Sequence, residues 1–340
     1  MTRSSSRGWG TSWLVASCLA SIMMAGTASA AEPAVATRGV ARFHPAEGEP
    51  QLDTRFQLPA HEFAYELTPF PKVSERIALS TVTFPSPVVT ASPENNTVHC
   101  EYYQPNVPGK VPAVIVLHIL GGDFPLARVF SNAIAQRGTA ALFLKMPYYG
   151  PRRPPNSPKR MISRDPEETV EGMTQAILDI RRAAAFLASR EEIDAGELGV
   201  FGISLGGITG ALALTAEPRL KNGCLLLAGG DMAQIAWSSR ELEATRQYWL
   251  ERGGTKESFF DVMRAIDPVT YAAQVQGRRL LMLNATDDEV IPRSCTESLW
   301  KAFGRPEIVW YDGGHYSVAR HMLHAMKRTQ DFFAPAVPAE

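Results

Sequence analysis

The 340-residue chain is poor in several things that often decide a protein's class. It has four cysteines, and only Cys100, Cys224 and Cys295 lie beyond residue 30. So few exclude a disulfide scaffold, and an odd number leaves at least one thiol unpaired within the chain. It lacks net charge: 34 Lys and Arg face 35 Asp and Glu, a balance of −1. That excludes the basic footprint of a nucleic-acid binder and a polybasic membrane patch. Beyond the first thirty residues no apolar run approaches the ~20 residues of a membrane span. No internal repeat is visible. No His, Cys and acid cluster has metal-site spacing, and there is neither a G-x-G-x-x-G nor a P-loop. The sequence calls for no cofactor and no metal.

What is present starts with a leader-like N-terminus. Arg3 and Arg7 precede an apolar run from Trp13 to Ala25, and Ala28-Ser-Ala30 follows as a small-x-small cleavage site. This three-part layout is that of a secretory signal peptide over residues 1–30. It predicts an exported protein, periplasmic or secreted. Lipid anchoring through Cys18, in Val15-Ala-Ser-Cys18, is the alternative. Removing the leader takes two arginines, leaving 32 basic residues against 35 acids, or −3.

Residues 31–75 have weak periodicity and are expected to form an irregular N-terminal arm. The rest, 76–340, reads as one domain. Ile77 to Phe84 and Thr97 to Tyr103 alternate as strands do, with a Pro-Ser-Pro and Asn-Asn turn region between them. Val111 to His118 is a continuous apolar run of strand length, as expected for a strand buried on both faces, and Thr139 to Met146 is read as a second buried strand. Val170, Met173, Ile177, Ile180, Ala184 and Leu187 recur at helical steps within 167–190. Further strands are expected at 197–203, 221–228, 279–284 and 307–310, with helices interleaved. Such alternation predicts an α/β fold with a mostly parallel central sheet and helices on both faces. Residues 231–266 carry aromatic and charged residues at helical spacing and no strand, which predicts a small helical cap insertion.

The chemistry lies in Gly202-Ile-Ser-Leu-Gly206. A buried strand runs into this G-x-S-x-G and a helix leaves it, the setting of a nucleophile elbow with Ser204 at its apex. A serine hydroxyl needs a base to take its proton. His315, in Asp312-Gly-Gly-His-Tyr316 after the last strand, has the expected place; His321 and His324 fall on the terminal helix. The base needs a carboxylate to fix its tautomer. Asp288 is favoured over Asp287, and Glu289 is third. An oxyanion hole needs two backbone N–H groups. Leu205 supplies one; Leu120, with Ile119 as the alternative, supplies the other. Tyr148, Tyr149, Arg152 and Arg153 follow a strand at its carboxyl end and are candidate substrate contacts or a rigid Pro-rich loop.

Taken together these residues resemble the α/β-hydrolase superfamily across roughly 76–334. The Gly-Ile-Ser-Leu-Gly-Gly elbow, Ile266-Asp-Pro-Val-Thr-Tyr271 and Asp288-Glu-Val-Ile-Pro292 are similar to the dienelactone-hydrolase and acetyl-xylan-esterase type. The resemblance implies nucleophile Ser204, acid Asp288 and base His315. Typical dienelactone hydrolases carry Cys where this chain has Ser204, which points to ordinary ester hydrolysis. The expected substrate is a small-molecule or carbohydrate ester, cleaved through an acyl-enzyme. A serine peptidase of the prolyl-oligopeptidase type and a catalytically inactive binding protein on the same fold are the alternatives.

Overall fold

The uninterrupted apolar runs become strands because helices cover both faces of the sheet they enter. The computed structural model describes residues 35–71, 74–122, 124–240 and 242–335. The candidate leader lies outside the described residues. Among the described residues ten strands form one open sheet: β1 (Thr37–Phe43), β2 (His61–Pro69), β3 (Ile77–Pro85), β4 (Thr97–Pro105), β5 (Val111–Leu117), β6 (Ala140–Lys145), β7 (Ile193–Ile203), β8 (Leu220–Leu226), β9 (Arg279–Ala285) and β10 (Glu307–Tyr311). Their spatial order is β1-β2-β3-β4-β6-β5-β7-β8-β9-β10. Pairings from β1 to β6 are antiparallel, and those from β6 to β10 are parallel.

Alternation still operates inside the apolar strands. Ala113, Ile115 and Leu117 of β5 enter one apolar layer, while Val114 and Val116 enter the other. The first layer is closed by α2 (Pro166–Ala188), α3 (Leu205–Ala216) and α7 (Arg293–Ala302). The second is closed by α1 (Phe124–Ala135) and α8 (Met322–Phe333). Asp165 begins α2 by accepting the Glu167 N–H, with Pro166 at the first helical position. Cys100, Cys224 and Cys295 are buried free thiols, and burial pushes Cys100 and Cys224 up to about 12. Among the described residues no helix is long and apolar enough to cross a membrane.

One expectation needs correcting. The segment 31–75 is not irregular where it is described: β1 and β2 extend the sheet as an antiparallel ribbon. Charge hid it. Arg38 stands opposite Glu66, and Arg42 opposite Glu62, each pair joined by an ion pair on the solvated face. Only Ala41, Phe43 and Phe63 are left to mark the buried face. Between the two strands, Arg181 of α2 reaches Glu49 and the Phe56 carbonyl, and it also pairs with Glu217.

The stretch 231–266 contains α4 (Met232–Ser238), α5 (Glu243–Glu251) and α6 (Lys256–Met263), and no strand among its described residues. Its aromatic residues pack on one another. The Trp237 and Phe259 ring centroids lie 5.3 Å apart, and those of Trp249 and Phe259 6.3 Å apart. Asp267 fixes the start of α4, accepting the N–H groups of Asp231 and Met232.

Candidate active site

At the end of β7 the chain turns so sharply that two positions cannot carry a side chain. A Cβ on Gly202 would lie 2.0 Å from the Gly206 carbonyl oxygen; one on Gly206 would lie 2.5 Å from that of Leu117. Between them Ser204 has φ 55° and ψ −115°, a strained conformation for a residue with a Cβ. The strain aims its hydroxyl away from the sheet, just before the first turn of α3. There the helix leaves backbone N–H groups without internal acceptors and favours negative charge.

The loops after β9 and β10 bring the other two residues to this hydroxyl. Ser204 Oγ lies 2.9 Å from His315 Nε2. On the far side of the ring, Nδ1 lies 2.8 Å from Asp288 Oδ2 and 3.0 Å from Oδ1. Asp288 is itself fixed, since Oδ1 accepts the N–H groups of Val290 (2.9 Å) and Ile291 (2.7 Å). With the carboxylate taking the Nδ1 proton, Nε2 is left as the acceptor for the serine hydroxyl. Asp287 faces solvent and accepts from Thr286 Oγ1 instead. Glu289 accepts the backbone N–H of His315 at 2.7 Å, so it holds the loop rather than the ring.

The loop after β5 closes a turn in which the Gly122 N–H donates to the Ile119 carbonyl at 3.0 Å. Ile119 and Leu120 both line the cavity that contains Ser204, as does Leu205 at the start of α3. The sequence reading missed the residue that sets this loop. His118 is buried; its Nδ1 donates to the Ile119 carbonyl (2.8 Å) and its Nε2 accepts the Met146 N–H (3.1 Å). The Tyr149 ring packs 4.5 Å away, centroid to centroid. Burial pushes His118 down to about 4, so it stays neutral at ordinary pH. Its one sequence signal is a histidine ending a buried strand just before Gly121-Gly122.

Arg152 is not where a substrate contact would be. It is fully buried, pairs with Asp179 of α2 at 2.8 Å, and donates to the carbonyls of Asn95 and Lys145. Its partner lies far along the chain, which the sequence cannot reveal. Tyr148 is also buried, with its N–H on Asn95 Oδ1. Tyr148, Tyr149 and Arg153 do line a cavity, beside the one at Ser204.

The Ser204 cavity measures about 450 Å³. Ile162, Ile208, Met232, Ile235, Leu242, Ile291 and Met322 contribute to its wall. Among the described residues no Asp, Glu, Lys or Arg lines it. Burial of hydrocarbon is what such a wall rewards.

Comparison with known proteins adds to this geometry. The family model described as "Alpha/beta hydrolase domain containing 18" matches residues 73–239, and that of the "Prolyl oligopeptidase family" matches 173–337. An uncharacterized protein of Mycobacterium tuberculosis (strain H37Rv) is 31% identical over 173 residues, half of this chain. The chain spans about 40% of the length of that relative. Among solved structures, an acetyl xylan esterase from Paenibacillus sp. R4 superposes with a TM-score of 0.63 at 21% identity, over 79% of this chain and 88% of that one. Acetyl xylan esterase 1 from Thermoanaerobacterium sp. JW/SL YS485 gives 0.61 at 18%, over 78% and 87%. The acylaminoacyl peptidase of Pyrococcus horikoshii gives 0.58 at 15%, over 83% of this chain and 47% of that one. The two family matches overlap and together span the sheet from β3 to β10, and the elbow, the acid loop and the histidine loop fall within them: the matches and the shared fold support a serine hydrolase of the α/β-hydrolase family.

Proposed function

We propose that this protein is an exported carboxylic-ester hydrolase that works through an acyl-enzyme on Ser204. The observation that carries the reading is the Ser204–His315–Asp288 relay opening into an apolar cavity. His315 Nε2 takes the hydroxyl proton as Ser204 Oγ bonds to the ester carbonyl carbon. The N–H groups of Leu205 and Leu120 hold the resulting oxyanion, each contributing roughly 3 kcal/mol to the transition state. Collapse of the tetrahedral intermediate breaks the bond to the alcohol oxygen, which leaves with the proton from His315. Water then repeats the sequence on the acyl-serine and releases the acid. Asp288 steadies the imidazolium in both halves. Residues 231–266 act as a cap, since Met232, Ile235 and Leu242 wall the acyl side of the cavity.

Export rests on the leader features of residues 1–30. A panel of p-nitrophenyl esters tests the chemistry. Wild type is expected to turn over, and Ser204→Ala to lose about 10⁴-fold or more in kcat. Near-normal turnover by that variant would contradict the proposal.

The match to the prolyl-oligopeptidase family keeps a peptidase reading in play. Anchoring a free peptide amino group calls for a carboxylate at the site, and among the described residues none lines the cavity. Arylamide and ester substrates with the same acyl group, assayed side by side, separate the two readings. The ester is expected to be the better substrate.

A further inference from the structure

The loop of Ile119 to Gly122 has a cavity on each side. The apolar one holds Ser204 and His315. The other, about 420 Å³, shares Leu120, Gly121 and Ile162 with it and continues past Tyr149 to Arg153 and Arg160. A substrate whose carbonyl sits at Ser204 would therefore have one arm in hydrocarbon and the other beside two guanidinium groups.

Those two arginines differ from the other cations of the same stretch. Lys145 pairs with Glu101 at 3.0 Å, Arg152 with Asp179 at 2.8 Å, and Lys159 with Glu168 at 2.9 Å. Among the described residues Arg153 and Arg160 have no carboxylate partner, and no Asp or Glu lines their cavity. Arg160 is oriented by its own loop, donating to the carbonyls of Ser157 (2.8 Å) and Lys159 (2.7 Å), which leaves further N–H donors for a ligand. Burial and the nearby Arg153 charge both hold the Arg160 pKa below its ordinary value. Two like charges facing one cavity, where Lys145, Arg152 and Lys159 are each neutralised, are relieved by an anion that accepts from both.

We infer that Arg153 and Arg160 form a subsite for an anionic group, phosphate or carboxylate, on the alcohol portion of the ester cleaved at Ser204. The substrate is then amphiphilic, with an apolar acyl chain in one cavity and an anion in the other. This rests on the ester-hydrolase reading above.

Three esters with one acyl group test it: butyryl glycerol, butyryl glycerol phosphate and butyryl glycerate. Wild type is expected to favour at least one anionic ester over the neutral one by roughly tenfold or more in kcat/KM, mainly through KM. The phosphate and glycerate arms identify the anion. In Arg153→Gln and in the Arg153→Gln, Arg160→Gln double variant the ratio is expected to fall toward one, and rising salt is expected to lower it in wild type. Equal kcat/KM for all three esters in wild type, or a preference that survives in the double variant, would overturn the subsite and leave the hydrolase reading standing. No turnover of any ester would overturn both.

Discussion

The two halves of the sheet do different work. Every residue of the proposed catalytic relay sits at the carboxyl end of a parallel strand: Ser204 after β7, Asp288 after β9 and His315 after β10. The proposed oxyanion loop follows β5 in the same way. The antiparallel half, β1 to β4, contributes none of these. It is joined by its strand ladders and by apolar side chains such as Phe43, Phe63 and Phe84, and its polar groups form ion pairs. Arg38–Glu66 and Arg42–Glu62 tie its ribbon on the surface, and Arg181 with Glu49 and Glu217 ties it from within. The contrast separates two uses of polar groups. Around Ser204 they are aimed at a cavity; in the ribbon they neutralise one another.

Breaking each half should therefore break a different property. The largest effect is expected at the acid loop. Asp288→Asn should lower kcat by roughly 10⁴-fold because the imidazole is left in the wrong tautomer, while Asp287→Asn stays within a few-fold. Steady-state kinetics on one p-nitrophenyl ester decides it, and equal losses at both positions would erase the distinction. Next comes Arg181→Met, which leaves Glu49 buried without its partner. Urea unfolding should register a loss of about 3–5 kcal/mol, with kcat of the folded fraction little changed. A large kcat loss without a stability loss would undo the division of labour.

A pH effect should touch both halves. Burial, with the Lys145 and Arg152 charges adding to it, pushes His99 of β4 down to about 4; His118 after β5 is pushed down to about 4 as well, also by burial first. Unfolded, each returns to an ordinary value near 6.5 and binds a proton that the folded state refuses. The stability they contribute is thus present above about pH 6.5 and is lost as pH falls toward 4. Urea midpoints at pH 7 and pH 5 should differ in that direction, and His118→Asn should shrink the difference. The smallest effect is expected at the ribbon surface. Arg38→Ala should cost less than about 1 kcal/mol in urea unfolding, because the pair is exposed and screened.

How much of this was legible depended on whether the signal was contiguous. The elbow was, because strand, turn and helix are one unbroken stretch and Gly202 and Gly206 are required by contact distances of 2.0 and 2.5 Å. Asp288 and His315 followed from position after strands. The buried strands β5 to β9 were legible because parallel strands covered on both faces carry mostly apolar runs. The ribbon β1–β2 was not, because its solvated face carries charges and its buried face only a few apolar side chains. Arg152 and His118 were misjudged or missed for a common reason. Each is satisfied by groups distant in sequence: Asp179 and Asn95 for the first, Met146 for the second. Glu289, third choice as the acid, proved to hold the His315 backbone, a role that depends on how two loops meet.

The central claim is that Ser204 is a nucleophile activated by His315. Treating the purified protein with a fluorophosphonate and reading the intact and peptide masses tests it most directly. The account predicts one adduct per chain, on the Ser204 peptide, absent in Ser204→Ala and strongly slowed in His315→Ala. No adduct, or an adduct on another residue, would contradict it.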